Sequence, residues 1–275
     1  MTAPASNDVE LTCARCGSYV ARLVASLDVC RDCAERLLPE PLRRTLDARA
    51  LMAGTAHVLS RVGLPCLAIA LIFELPGDLL LWLLPDAPLS LQIGYFTLVT
   101  LIADLAILVM AHEALLGRTI SIGEALVRGV PAYGAVLGAR FRAGILTLLW
   151  GLLLVLPGLY KGAAYSLSSQ VALFEPREAH QATEVSSRRT REHVWLLLGA
   201  SLLLYAVAVG VPLGALLGFE SVALTLDVST YERLSLALDL SCGAISATSL
   251  ALLTIVQQVV YEKATLEERI ALDRA

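Results

Sequence analysis

The sequence predicts an all-α polytopic membrane protein of about six transmembrane helices, with amphipathic helices at the membrane surface and a small cysteine-containing domain in front. Two observations predict this class. Apolar residues make up 57% of the 275 residues and charged residues only 17%, and the mean hydropathy is +0.70, well above that of ordinary soluble domains. These apolar residues are also gathered into runs long enough to cross a bilayer as helices.

Four cysteines near the N-terminus form two C-x2-C pairs: Cys13 with Cys16, and Cys30 with Cys33. Two such pairs can close four thiolates around one tetrahedral Zn(II) ion. The first 45 residues hold no apolar segment of signal-peptide length, so we expect them in the reducing cytosol, where closely spaced thiols favour metal over disulfides. Residues 1–38 are therefore expected to form a cytosolic zinc ribbon with one Zn(II) per chain. A pair of redox-active or incidental thiols is the alternative.

The rest of the chain divides into three parts. Residues 39–61 are expected to form a linker, marked by Pro39 and Pro41, and a helix at the membrane surface. Residues 62–262 form the transmembrane domain, and residues 263–275 form a cytosolic amphipathic tail. A second surface helix is expected over residues 121–137, where apolar residues recur at helical spacing.

Six spans are expected within the transmembrane domain, at residues 62–84, 89–116, 143–156, 159–174, 194–217 and 240–261. The length of residues 143–174 does not decide whether this region crosses the membrane once or twice. It is too long for one upright helix and short for two. Two crossings bring the arginines before and after this region to the same side of the membrane, which the positive-inside rule favours. The predicted helix kink between the two crossings lies at Pro157 and Gly158.

This arrangement predicts a protein of the bacterial inner membrane with both termini in the cytosol. Of the 21 basic residues, it leaves only Lys161 and Arg233 on the outer side. The bilayer is the expected partner. Nucleic acid is not, because the formal net charge is −4 and the basic residues form no cluster.

Three carboxylates lie inside the first two predicted spans and define a candidate polar path. Glu74 and Asp78 are four residues apart, hence on one helix face, and Asp104 lies near the middle of the second span. Carboxylates at membrane depth are costly and by default mark a cavity, an ion path or a proton relay. The alternative is that neighbouring polar side chains satisfy each of them.

The pair His112-Glu113 is expected to reach into the membrane interface. The H-E-x-x-H pattern of an intramembrane zinc hydrolase is absent, because Leu116 stands where the second histidine is required. The sequence also contains no G-x-S-x-G elbow, Walker loop or dinucleotide fingerprint. An enzymatic activity is therefore not indicated.

Small residues recur every four positions along the fifth predicted span, at Ala206, Gly210, Gly214 and Gly218. Such a stripe lets another helix backbone approach closely. We expect it to serve helix packing, within the chain or in an oligomer.

Three segments resemble a bacterial membrane family: LLVLPGLY at residues 153–160, SLSSQVALFE at residues 166–175, and the run from Ala182 to Trp195. The family comprises the membrane domain fused to some glycerophosphoryl diester phosphodiesterases and the YciC-like inner-membrane proteins. The resemblance covers about residues 48–217 and implies a six-helix membrane module of unassigned role. The chain departs from the pattern at Val185, where the family has Arg, and at Glu192, where it has Gly. The phosphodiesterase barrel is missing, so phosphodiester hydrolysis is not implied.

Three functions are compatible with these features. The first is a non-enzymatic inner-membrane protein whose zinc ribbon contacts a cytosolic or membrane protein, or stabilises the chain. The second is a transporter or channel that uses Glu74, Asp78 and Asp104. The third, a lipid-handling accessory enzyme, requires a catalytic cluster that the sequence does not contain.

Overall fold

The computed structural model of the protein describes residues 11–12, 19–20, 46–84, 87–175, 180–223 and 227–274. Within these ranges the chain is helical apart from turns and one pair of two-residue strands. Strand β1 (Leu11–Thr12) pairs antiparallel with β2 (Tyr19–Val20), so that Leu11 lies opposite Val20 and Thr12 opposite Tyr19.

The described helices follow one another in this order: α1 (Ala48–Leu83), α2 (Leu89–Gly94), a π-helical turn (Tyr95–Val99), α3 (Thr100–Leu115), α4 (Ile122–Gly129), a 3-10 turn (Val130–Ala132), α5 (Tyr133–Leu153), α6 (Val155–Tyr165), α7 (Ser168–Phe174), α8 (Ala182–Arg189), α9 (Val194–Tyr205), a second π-helical turn (Ala206–Gly210), α10 (Val211–Ala223) and α11 (Val228–Arg274). The helical membrane class predicted from the sequence is confirmed at this level.

Five helical stretches in the described ranges are long and apolar enough to cross a membrane: Ala48–Leu80, Leu89–Leu115, Ile122–Leu153, Val194–Ser221 and Arg233–Glu268. The prediction placed six spans. The difference lies in residues 155–174, which form the two short helices α6 and α7.

Helix α11 sets the direction of its neighbours. It runs parallel to α3, because Thr254 hydrogen-bonds Asp104 and Glu262 hydrogen-bonds His112, eight residues further along both helices. It runs antiparallel to α9 and α10, where the hydroxyl of Ser246 donates to the carbonyl of Ala208 at 2.8 Å.

Helix α1 is antiparallel to α3. Tyr95, just before α3, donates to the carbonyl of Phe73, and Arg61 lies beside Gly117 at the other end. The bundle therefore has two ends. We call the one that contains Arg61, the end of α3 and the last part of α11 the polar end, and the other one the distal end.

The predicted surface helix and first span form one helix, α1, which begins after Asp47; this carboxylate caps it by accepting from the N–H of Ala50 at 2.7 Å. The last span and the predicted tail are likewise continuous in α11. The extensions are not separate surface helices, because Leu51 of α1 and Leu266 of α11 are buried in the same apolar core as the spans.

The second predicted surface helix corresponds to α4 and the 3-10 turn that follows it. Ser121 caps α4 by accepting from the N–H of Glu124 at 3.2 Å. The helix lies against α3, where a Cβ on Gly129 would be 3.1 Å from the Cβ of Leu105. Its start and its helical character agree with the sequence pattern.

Helices α5 and α6 form a tight antiparallel hairpin. Gly158 lies against Gly151, and Gly162 against the side chain of Thr147. The break is at Leu154, which has extended backbone angles, and not at Pro157 as predicted. Pro157 is the third residue of α6, where its missing N–H has no intrahelical partner to lose, so the proline starts a helix instead of kinking one.

The return arm of the hairpin brings the chain back to the polar end. Arg140 of α5 donates to the hydroxyl of Ser169 at 3.0 Å, and Glu175, just after α7, pairs with Arg189 of α8. Arg142, before residues 143–174, and Arg188, after them, line one cavity and therefore lie at the same end of the bundle. Lys161, predicted on the outer side, lines a cavity together with Arg142 and Arg188.

The stripe of Gly210, Gly214 and Gly218 does not serve packing within the described part of the chain. The three glycines are exposed, and a Cβ on any of them would meet no atom within 4 Å. Contacts with α11 use the carbonyls of Ala208 and Pro212 instead. The predicted intramolecular role is therefore wrong for these residues.

Candidate functional site

Asp104 lies at the centre of a polar cluster between spanning helices. Its carboxylate forms an ion pair with Arg140 of α5 at 2.7 Å and accepts from the hydroxyl of Thr254 of α11 at 3.3 Å. Arg140 also donates to Ser169 of α7. The carboxylate of Asp104 on α3 therefore contacts α5 and α11 directly, and the guanidinium of Arg140 connects it to α7.

Glu74 and Asp78 of α1 extend this cluster toward the distal end. The charge of Glu74 interacts with those of Asp104 and Asp78. Asp78 in turn interacts with Asp239 of α11. The structure thus brings together the three predicted carboxylates and adds Asp239, the residue just before the predicted span 240–261.

Asp78 fits against α11 because residue 243 is a glycine. A Cβ on Gly243 would overlap the carboxylate of Asp78. A side chain at this position would push the carboxylate away from the interface between α1 and α11. Gly243 is therefore a residue of the site that its sequence context gave no reason to select.

A cavity of about 810 Å³ adjoins the cluster between α5, α6, α9 and α11. Most of its lining is apolar and includes the glycines of the hairpin. Its size is that of ordinary ligand pockets. Its single charged lining residue among those described is Arg140, the partner of Asp104. Its other polar lining residues carry hydroxyl or amide groups: Thr147, Tyr165, Ser166, Ser168, Ser169, Ser201, Tyr205, Thr254 and Gln257.

Negative charge predominates in this arrangement. Among the described residues, one of its four carboxylates, that of Asp104, pairs with a cation, the guanidinium of Arg140. The other three are those of Glu74, Asp78 and Asp239. Uncompensated carboxylates inside a bilayer are costly unless a cation, a proton or water accompanies them. Among the described residues, acids therefore outnumber bases in this cluster.

A second polar cluster, at the polar end, was not predicted. Glu175 forms two hydrogen bonds with the guanidinium of Arg189, and the hydroxyl of Tyr261 donates to the same carboxylate. Arg189 also donates to Glu268 at 2.7 Å. Burial alone would lower the pKa of the Arg189 guanidinium, but the hydrogen bonds and charge of Glu175 outweigh it and raise that pKa above its ordinary value.

His112 belongs to the same end and is buried, which corrects the expectation that it reaches into the interface. Its Nδ1 lies 2.6 Å from Glu262, and Gln258 donates to that carboxylate at 2.7 Å. The ring of Phe174 lies between the rings of His112 and Tyr261. Together these contacts fasten α3, α7, α8 and α11 to one another.

The zinc ligands Cys13, Cys16, Cys30 and Cys33 lie outside the described residues. Cys66 and Cys242 are buried free thiols inside helices, in line with their apolar context. Within the described ranges, no group of three or more His, Cys, Asp or Glu side chains is arranged to hold a metal ion.

The chain matches no family model, no curated protein and no solved structure. The resemblance to the YciC-like family is therefore a hypothesis carried by the residues of the three segments alone.

Proposed function

We propose that the protein is a non-enzymatic inner-membrane protein whose transmembrane domain conducts protons along Asp239, Asp78, Glu74 and Asp104. The observation that carries this proposal is the position of the Asp104–Arg140 pair, which joins the line of carboxylates from the distal end to the cavity wall. A proton that reaches Asp104 competes with Arg140 for the carboxylate. Proton arrival is thereby linked to the freedom of Arg140 beside the cavity.

The cavity supplies a place for a solute coupled to this proton movement. Its apolar walls fit an amphiphilic or apolar molecule, and Arg140 with Ser169 and Gln257 offers donors for its polar group. The proposal thus corresponds to the transporter expected as one of three functions from the sequence.

Proton flux tests the proposal. Full-length protein is reconstituted into liposomes that contain a pH-sensitive dye, and a potassium potential set with valinomycin drives protons inward. We expect faster acidification than in protein-free liposomes and a marked loss of flux in Glu74→Gln and Asp104→Asn. Glu220→Gln, an exposed carboxylate at the distal end, is the matched control and keeps the flux.

Two results would count against the path. If the folded wild-type protein gave only the flux of protein-free liposomes, the proposal of proton conduction would be wrong. Flux that survives Glu74→Gln and Asp104→Asn together would assign it to other groups.

We further propose that the polar end faces the cytosol of a bacterial cell and that the distal end faces outward. Arg118, Arg128, Arg188 and Arg189 all lie at the polar end, and the positive-inside rule orients such an end toward the cytoplasm. Residue 48 begins α1 at this end and residue 274 ends α11 there. Both termini are then cytosolic, because the hairpin of α5 and α6 and then α7 return the chain to the polar end before α9 begins.

The N-terminal segment is proposed to be a zinc ribbon that makes protein contacts or adds stability. The support is the strand pair: β1 ends just before Cys13, and β2 begins shortly after Cys16. Two paired strands joined by a C-x2-C segment are typical of a zinc knuckle. A pull-down from detergent, comparing the intact protein with a chain lacking residues 1–38, tests the contact role. Equal recovery of every partner from both would argue against it.

A further inference from the structure

A second cavity, of about 560 Å³, lies at the polar end between α5, α6 and α8 and is strongly basic. Its lining contains one carboxylate, that of Glu184. The same lining contains four cations: Arg142, Lys161, Arg188 and Arg191. Hydroxyl groups complete the polar lining: Tyr160, Tyr165, Thr183 and Ser187. None of the four carboxylates of the proposed proton path lines it, and Tyr165 separates it from the cavity of about 810 Å³ because this residue lines both.

Two of the four cations have no carboxylate partner in the part of the chain that the structure describes. Arg142 lies 3.7 Å from Glu184, and Arg188 pairs with Glu268 at 2.9 Å. No described carboxylate lies within 4.0 Å of Lys161 or Arg191. Positive charges that converge on one cavity repel each other, so an anion in the cavity is favourable.

Aromatic side chains lie around this cavity. The ammonium of Lys161 lies 5.5 Å from the ring of Trp150 and 5.7 Å from that of Tyr165. Tyr160 packs edge-on against Trp195, which is 71% exposed. Tryptophan and tyrosine are enriched where the bilayer meets water.

The wall that continues from the cavity is apolar. Leu146 lines the cavity itself, and the hairpin beyond it exposes Leu148, Leu149 and Leu152. A ligand with a phosphate group in the basic cavity would therefore lay its apolar part along this face. This combination matches a phospholipid better than a soluble phosphate compound.

We propose that this cavity binds the headgroup of an anionic phospholipid. The phosphate interacts with Lys161, Arg188 and Arg191, and the hydroxyls of Ser187 and Tyr165 donate to its oxygens or to the headgroup alcohol. Arg142 remains with Glu184 and closes the side of the cavity next to α5.

Lipid titration tests this site. Full-length protein in a neutral detergent is titrated with dihexanoyl phosphatidylglycerol, with dihexanoyl phosphatidylcholine and with inorganic phosphate, and tryptophan fluorescence is followed because Trp150 and Trp195 flank the cavity. We expect phosphatidylglycerol to bind about tenfold or more tightly than phosphatidylcholine, and Lys161→Gln with Arg191→Gln to remove this preference. The matched control is Arg49→Gln with Arg118→Gln, two exposed arginines that do not line the cavity.

The other outcomes would overturn the proposal. Equal affinity for both lipids would contradict the proposed site. An unchanged preference in the variant Lys161→Gln with Arg191→Gln would contradict it as well. Inorganic phosphate that binds as tightly as phosphatidylglycerol would assign the cavity to a soluble phosphate compound. Lys161→Arg with Arg191→Lys keeps both charges and is expected to keep the preference, which separates lost binding from lost folding.

Discussion

Gly158 lies directly against Gly151 across the hairpin of α5 and α6, so close that a Cβ on Gly158 would lie 2.5 Å from the Cα of Gly151. Backbone meets backbone at this point, and neither helix can move aside without opening the hairpin. The first prediction follows from this contact.

Gly158→Ala is expected to destabilise the protein by about 1–3 kcal/mol, because the added methyl group overpacks a contact between two backbones. The thermal midpoint in detergent, read by size-exclusion recovery after heating, measures the effect. Gly144→Ala on α5 is the matched control, since a Cβ there meets no atom within 4 Å. Pro157→Ala is also expected to be nearly neutral, because the helix break is at Leu154. A large loss from Pro157→Ala alone would instead make the proline the cause of the bend.

The second prediction concerns Arg189, whose side chain is only 3% exposed and pairs with buried Glu175. Arg189→Leu is expected to cost about 3–5 kcal/mol, since it leaves a buried carboxylate without its cation. Arg188→Leu is the control: this arginine binds the same Glu268 but is 63% exposed, and its loss is expected to cost about 1 kcal/mol or less.

A double substitution sharpens this test. Glu175→Leu combined with Arg189→Leu removes both charges and is expected to recover part of the stability lost in Arg189→Leu. The same heating assay measures it. Losses that simply add would mean that the two side chains contribute independently and that the pair is not a unit.

The third prediction concerns the metal. Freshly purified, reduced protein is expected to carry about one Zn per chain, and Cys13→Ser with Cys16→Ser to release it, because a structural site uses four thiolates. Elemental analysis of the protein peak measures the content. Cys66→Ser with Cys242→Ser, which changes the two buried thiols inside the helices, is expected to leave it unchanged. A zinc content below about a tenth of an equivalent per wild-type chain would contradict the predicted zinc site.

The fourth prediction concerns orientation. In a chain whose six native cysteines are replaced by alanine, single cysteines at Ser90 and Glu220 are expected to react with an impermeant thiol reagent from outside intact cells. Cysteines at Glu124 and Glu184 are expected to react only after permeabilisation. All four positions are exposed, so burial does not limit the reaction. Reaction of Glu184→Cys from outside would reverse the assignment of the two ends.

Hydropathy alone was enough to predict the helical class and the approximate place of most spans, because lipid forces long apolar runs into helices. It was not enough to place the hairpin break. A leucine such as Leu154 does not indicate a helix break from its sequence context. A proline in the first turn of a helix also cannot be distinguished in the sequence from a proline that kinks a helix. The continuity of α1 and α11 was missed for a similar reason, since charged residues at a helix end do not show whether the helix stops or leaves the bilayer.

Part of the candidate site could be predicted from the sequence. The cost of carboxylates in a membrane singled out Glu74, Asp78 and Asp104 without any structure. The partner of Asp104 was not identifiable, because Arg140 is 36 residues away and periodicity reports only on neighbours along one helix. The same limit hid the contact between Glu175 and Tyr261, which are 86 residues apart.

Helix α11 runs for 47 residues, about 70 Å, without a break. Its middle holds Thr254 against Asp104, and its last turns hold Glu268 against Arg188 and Arg189. One continuous helix fixes the spacing between these two contacts. The side chain that meets Asp104 among the spanning helices and the side chain that meets the arginines of α8 therefore belong to the same structural element.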